Sequence, residues 1–399
     1  IIPDLDTGGA EKSAVEIAAA VVKAGGRALV ASRGGRLEKT LAEAGGELVR
    51  FPAATKNPLG IWRNSARLAE IIRTENVALI HARSRAPAWS ALIAARRTGI
   101  PFVTTYHGAY NEKGPVKRLY NSVMARSDVV IANSRYTADL IRSRYGTPED
   151  RVRVIYRGVD AALDPTAVSP ERRAAVRQRW GIPPEVRVIL QAARLTGWKG
   201  QTVLIDAVAQ LAAREGWPDD TRVVLAGDAQ GRDDYRAGLV ARIEAAGLGH
   251  RVCLVGHEDD IAAAFAEAFV SIVASTEPEA FGRAGAESQA MGCPVIATRL
   301  GAPQETVLAS PDVAPETATG WLVPAGDAVA LATCLGEALA MSDTERAEIG
   351  GRGRAHVLAN YTLAEMQRRT LSVYDELLGD GMLSAFDSAI GAANRVVRA

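Results

Sequence analysis

Short β-branched runs alternate with amphipathic helical stretches along almost the whole chain, and this alternation restricts the fold more than any other feature. Over residues 1–165 the runs are ALVAS (28–32), ELVRF (47–51), VALIHA (77–82), PFVTTYH (101–107), VVIAN (129–133) and RVRVIY (151–156). Helical stretches fall between them, from Leu37 to Ala44, Trp62 to Arg73, Ala88 to Arg97, Val116 to Met124 and Thr137 to Ser143. Strands separated in this way form right-handed βαβ units on a parallel sheet, so this half predicts a doubly wound α/β domain. The pattern breaks at residues 163–186, LDPTAVSPERRAAVRQRWGIPPEV, where prolines mix with a charged helix. That break predicts a linker over 166–185. The alternation then restarts with VRVILQAAR (186–194), TRVVLAG (221–227), VCLVG (252–256), FVSIVAS (269–275), PVIAT (294–298) and TGWLVPAG (319–326), a second doubly wound domain over 186–361. No sequence repeat relates the halves.

At 399 residues the chain is too long for one ordinary core, and its length suggests two to three domains. No run of eighteen apolar residues occurs, so no membrane-spanning helix is expected. Cys253, Cys293 and Cys334 have no CxxC spacing and read as buried, reduced thiols, which points to the cytoplasm, with peripheral contact at the inner face of the membrane a further expectation. The chain opens at Ile1-Ile2-Pro3 in what reads as the end of a strand, so a trimmed start is expected.

Charge is uneven. Residues 1–165 hold 25 Lys and Arg against 16 Asp and Glu, while the remainder holds 22 against 30. A basic first half suggests an anionic partner such as a membrane surface or a phosphorylated substrate, with no sign of nucleic-acid binding. At the far end, Leu383, Phe386, Ile390, Ala393 and Val397 recur at helical spacing, with Arg395 and Arg398 closing the segment. Their apolar face is expected to pack on a domain.

Ligands of open α/β sheets bind beyond the carboxyl ends of the strands. Gly8-Gly9 follows the first strand and opens a helix whose N-terminus presents free amides. His107-Gly108 ends another strand. Arg194 ends the first strand of the second domain and Lys199 follows in LTGWKGQ, two cations suited to neutralising a diphosphate without metal. Asp4 and Asp6 form a DxD, but no further ligands stand at metal spacing and they read as turn formers. Glu279 precedes a short helix and Glu287 lies in it. A wholly helical segment would separate them by about 12 Å, enough to reach both ends of a nucleotide-sugar. Phe281-Gly282 gives a close backbone approach at the helix start.

Taken together, Gly8-Gly9, Tyr106-His107-Gly108, Asn133-Ser134, Arg194 and Lys199 in R-x4-K, and EAFGRAGAE (279–287) followed by GCPVIAT (292–298) and Gly301 to Glu305 resemble the retaining family 4 glycosyltransferases, which have the GT-B fold. The resemblance implies two Rossmann-like domains facing across a deep cleft. It implies that Arg194 and Lys199 hold the donor diphosphate, Glu287 the ribose hydroxyls, and Glu279 with the Phe281-Gly282 amides the transferred sugar. It also places His107 by the sugar, Gly256 at the border of the base, and the helices of 362–399 back on the first domain. No cofactor is implied beyond the nucleotide-sugar substrate.

Two departures stand out. Tyr156-Arg157-Gly158-Val159-Asp160 occupies the place of a VIxNGVD run, and Arg83 and Arg85 stand where relatives often have a second histidine. Those arginines mark the acceptor side and suit a phosphate or an acidic sugar. The implied chemistry is transfer of a hexose from a UDP- or GDP-sugar to a glycan or lipid-linked hydroxyl, as in lipopolysaccharide, polysaccharide or glycolipid synthesis. In it the departing phosphate deprotonates the acceptor, Arg194 and Lys199 stabilise the leaving group, and Glu279 positions. Trp62, Arg63, Arg67, Lys117 and Arg118 are candidates for contact with an anionic membrane. A two-domain sugar-binding protein and a nucleotide-sugar epimerase are the competing readings.

Overall fold

The computed structural model describes residues 1–397 apart from 7, 109, 111, 113, 215 and 216, with side chains described through residue 392. The chain divides into two compact units, Ile1–Gly158 with Leu363–Ala399, and Val159–Thr362.

In the first unit the elements run α1 (Gly9–Lys23), β1 (Leu29–Ser32), α2 (Glu38–Glu43), β2 (Glu47–Arg50), α3 (Pro58–Thr74), β3 (Ile80–Ala82), α4 (Arg85–Thr98), β4 (Phe102–Tyr106), α5 (Pro115–Asn121), β5 (Val129–Ala132), α6 (Arg135–Tyr145) and β6 (Val152–Val154). Every strand pairing is parallel: β1 with β2, β3 with β4, β4 with β5, and β5 with β6. The extended residues Ile1–Pro3 join these two sets. Ile2 donates its amide to Ala31 (3.1 Å), while Arg83 donates to the carbonyl of Ile1 (3.0 Å). The order is therefore β2, β1, the opening segment, β3, β4, β5, β6. It reverses direction between the opening segment and β3, and a crevice opens at such a switch point. Gly8-Gly9 and Arg83 follow the two segments that flank it.

The second unit continues with α7 (Pro170–Trp180), β7 (Arg187–Ala192), α8 (Gln201–Ala213), β8 (Thr221–Ala226), α9 (Asp233–Ala245), β9 (Val252–Gly256), α10 (Ile261–Glu267), β10 (Ala268–Val273), α11 (Arg283–Ala290), β11 (Val295–Thr298), α12 (Pro303–Thr306), β12 (Gly320–Val323), α13 (Ala328–Leu339) and α14 (Asp343–Asn360). Its parallel sheet has the order β12-β11-β10-β7-β8-β9, with the switch point between β7 and β10. One face packs on α8 and α13 through Ile189, Leu204, Ile205, Val208, Leu331 and Leu335, all close to fully buried.

The linker expected over 166–185 is instead a docked helix of this unit. Ser169 accepts from the Arg172 amide as N-cap, Pro170 takes the first turn, and Gly181 ends the helix at φ 65°. Val176 and Trp180 are buried, Arg172 pairs with Asp260 (2.6 Å), Arg179 with Glu258 (2.6 Å) and Arg177 with Glu267. Of the prolines that suggested a break, Pro170 is a helix start, while Pro165 opens the turn before the helix and Pro183 and Pro184 follow its end. The domain boundary accordingly falls at Gly158, earlier than the residue 165 read from the sequence.

After Thr362 the chain returns to the first unit as α15 (Leu363–Leu378) and α16 (Met382–Val397). Leu371, Tyr374 and Phe386 pack with Ile17, Val103 and Ile131. Arg398 and the side chains of Ala393, Arg395 and Val397 lie outside the described residues.

Candidate functional site

In the second unit the switch point brings together the loops that follow β7 and β10. Thr276 donates its amide to the Trp198 carbonyl (2.8 Å), which ties one loop to the other. Lys199 Nζ then pairs with Glu279 Oε1, and Ser275 Oγ donates to the same oxygen at 2.6 Å. Glu279 is 9% exposed and the lysine side chain 17%, so this ion pair sits at the edge of the core. Trp198 covers the ammonium, its ring centroid 4.3 Å away. Two glycines permit the approach. Gly200 adopts φ 71°, and a Cβ there would stand 1.9 Å from the Ala274 carbonyl oxygen. Gly301 adopts φ 80°, and its Cβ would stand 2.4 Å from the Glu279 carbonyl oxygen, which accepts instead from the Ala302 amide (2.9 Å).

Gly282 is the N-cap of α11 at φ 79°, so Glu279 lies outside the helix and Glu287 inside it. Arg283, one turn earlier, holds the Glu287 carboxylate through Nε (3.1 Å) and Nη2 (3.0 Å). The Phe281 ring is not part of a binding surface. It is 3% exposed and meets Tyr361 edge-on at 5.7 Å, so any ligand contact from Phe281-Gly282 must come from the backbone. Arg194 is exposed, and its carbonyl accepts from the Gln201 side chain (2.9 Å). No ion pair engages its guanidinium among the described residues. Gly256 ends β9 at φ 78°, and its carbonyl accepts from the Gly227 amide (2.7 Å).

The first unit gathers a basic cluster around its own switch point, with Arg83 and Arg157 buried and two histidines beside them. Arg83 is 7% exposed and donates to Ser13 Oγ (2.6 Å) on the first turns of α1, where Glu16 is also buried. His81 bridges the Tyr374 hydroxyl and Thr105 Oγ1, each at 2.7 Å. At the end of β4, His107 Nδ1 meets Arg157 Nη2, and Arg157 Nη1 donates to the Gly9 carbonyl at 2.8 Å. Burial, reinforced by Arg157, Arg83 and His81, holds the His107 imidazole well below its ordinary pKa. Burial does the same to His81, with Arg83 adding to it. Gly8 precedes α1 in extended backbone, and a side chain there would collide with the Glu11 carboxylate.

Arg85 is turned to a structural task. It donates to Asn121 Oδ1 (2.8 Å) and lies 4.0 Å over the Tyr110 ring. Asn133-Ser134 likewise serves α6, since Ser134 caps it through the Thr137 amide and Asn133 accepts from the Thr137 hydroxyl. Asp4 pairs with Arg33 (2.8 Å) and Asp6 accepts from the Arg36 amide (3.3 Å).

Residues 7–163 match the model of Glycosyltransferase Family 4, and residues 172–356 that of Glycosyl transferases group 1. A glycosyltransferase from Rickettsia africae is 32% identical, with a TM-score of 0.84 over 95% of this chain and 98% of that one. The chain belongs to the group 1 glycosyltransferases.

Other members show how far the likeness reaches. Anabaena HepE, solved in complex with UDP and glucose, is 25% identical, with a TM-score of 0.80 over 94% of this chain and 99% of that one. A D-inositol 3-phosphate glycosyltransferase of Xylanimonas cellulosilytica is 31% identical over 66% of this chain. The alignment spans 63% of that relative's length.

Within this group 1 chain the structure adds Ser275, Arg283, Ser13 and Arg157 to the residues read from the sequence. Ser275 and Arg283 lie four residues from Glu279 and Glu287, a spacing that could have flagged them. Arg157 had one signal, its place in the run where an asparagine is usual.

Proposed function

We propose that this chain transfers a hexose from a UDP- or GDP-sugar to an acceptor hydroxyl, with retention at the anomeric carbon and without a metal ion. The observation that carries this reading is the convergence of Lys199, Glu279 and the N-terminus of α11 at the switch point of the second unit. Free amides at a helix start and a lysine ammonium suit a diphosphate. A bound diphosphate would draw Lys199 from Glu279, which then keeps Ser275 and is left to position the sugar. Arg194, exposed and without an ion pair among the described residues, supplies a second cation. Glu287 binds the ribose hydroxyls, oriented by Arg283. Because the leaving phosphate takes the acceptor proton, no carboxylate has to serve as base, and the Lys199 partnership suits Glu279 to positioning.

The acceptor carries a phosphate or another acid. Arg83, buried at the switch point of the first unit, supports this, as does the inositol 3-phosphate in the name of the Xylanimonas relative. The acceptor is presented at an anionic bilayer. Leu59, Trp62, Val116 and Leu119, each at least 57% exposed, are four of the six large apolar side chains exposed among the described residues. They lie on the start of α3 and on α5, which α4 joins: Ser90 donates to the Ile61 carbonyl (3.2 Å), and Trp89 to that of Tyr120 (3.1 Å). Lys56, Arg63 and Lys117 accompany them. Arg67 and Arg118 are spent on the carbonyls of Arg50 and Arg144. Incubation with UDP- and GDP-sugars, scored by release of nucleotide diphosphate with and without inositol phosphate or lipid-linked glycans, tests this function. Acceptor-dependent release supports it, and no release from any donor contradicts it.

A further inference from the structure

Two nitrogens of His107 meet different surroundings. Nδ1 faces Arg157, a side chain that can only donate, so Nδ1 must accept and carry no proton. Nε2 is buried with no hydrogen-bond partner among the described residues. The arginine is itself fixed: it is 5% exposed and its other terminal nitrogen donates to the Gly9 carbonyl at 2.8 Å. A neutral imidazole whose Nδ1 accepts carries its single proton on Nε2. A buried N–H left without an acceptor costs free energy that a ligand oxygen can recover.

We propose that Arg157 is a positioning residue that locks His107 as the Nε2–H tautomer, so that His107 serves the substrate as a hydrogen-bond donor and not as a general base. The substrate role rests on the glycosyltransferase reading, and the tautomer does not. The same arginine ties the donor to the glycine turn ahead of α1, because one guanidinium spans Gly9 and His107. Burial next to Arg157 and Arg83 acts in the same direction by keeping the ring neutral. The asparagine usual at this place has a shorter side chain, and its amide can accept as well as donate, so it would not impose one tautomer. The departure from the family pattern at Arg157 and the donor role of His107 are thus one feature.

The test is nitrogen NMR of the full chain with isotope-labelled histidine, His107 being assigned by its loss in His107→Gln. The expected signature at neutral pH is a neutral ring protonated on Nε2. Arg157→Met is expected to give a tautomer mixture, and Arg157→Lys, which still only donates, to restore the single tautomer. With whichever nucleotide-sugar supports turnover, His107→Gln should keep about tenfold more activity than His107→Ala, because an amide still donates. A wild-type His107 protonated on Nδ1, or an Arg157→Met spectrum identical to the wild type, overturns the proposal even if no donor is turned over. Equal loss in His107→Gln and His107→Ala overturns the donor role alone. Absence of turnover in the wild type, with the expected spectrum, contradicts the glycosyltransferase reading and leaves the tautomer assignment standing.

Discussion

The two carboxylates of EAFGRAGAE are both held by basic partners. Glu279 has Lys199 and Ser275, and Glu287 has Arg283. Removing one partner leaves a carboxylate short of a donor in a poorly hydrated place. Ser275→Ala is therefore expected to destabilise the protein by about 1.5–3 kcal/mol in urea unfolding, the usual range for a hydrogen bond to a charged group. An unchanged midpoint would show that Ser275 does not support Glu279. Glu287→Ala is expected to abolish transfer with the circular dichroism spectrum unchanged. Full activity in that variant would remove Glu287 from the donor site.

The two half-buried histidines of the first unit make a separate prediction about pH. His81 and His107 have folded pKa values below the ordinary imidazole value of 6.5, so the unfolded chain takes up protons first as pH falls. Stability then declines below the unfolded value and keeps declining until the folded groups titrate. Urea unfolding should lose up to about 1.4 kcal/mol per pH unit for each histidine between roughly pH 6.5 and 5. A flat profile across that window would mean that neither ring is held neutral.

Among the elements, α7 is the clearest test of the domain boundary. If it is docked by Val176 and Trp180, Trp180→Ala should cost about 3–5 kcal/mol of stability. A flexible linker would lose almost nothing. The loop elements of the site are equally constrained. Gly200→Ala would drive a methyl group into the Ala274 carbonyl and displace Lys199, so transfer should fall with it.

These elements also show why the sequence could be read in part. Most strands and helices lie within a few residues of their expected places, because a parallel sheet buried on both faces leaves long β-branched runs. Helix α14 left no such trace. Its buried positions are Gly350, Gly353 and Val357, and it packs closely because Gly350 sits against the Gly292 carbonyl, so small residues replace an apolar stripe. Its start is marked all the same by the Ser342 and Glu345 capping box. Lys199, Glu279 and Glu287 were legible from spacing. The Lys199–Glu279 pair was not, since it depends on the sheet order that places β7 beside β10.

For the whole molecule, each unit is a parallel sheet with a switch point, and Lys199 with Glu279 lies at one and Arg83 at the other. The basic excess of residues 1–165 belongs to the unit that carries exposed Leu59, Trp62, Val116 and Leu119. Co-sedimentation with anionic vesicles at low salt should recover the wild type and recover Trp62→Ala less well, with binding weakened by salt. Binding equal on neutral and anionic vesicles would contradict an electrostatic contact. The central claim is that the switch point of the second unit holds the donor. Nucleotide diphosphate release from a UDP- or GDP-sugar, compared between the wild type and Lys199→Ala, tests it most directly. Release by the wild type and a loss of about 100-fold or more in the folded variant is the expected result; an equal rate in the two proteins would contradict it.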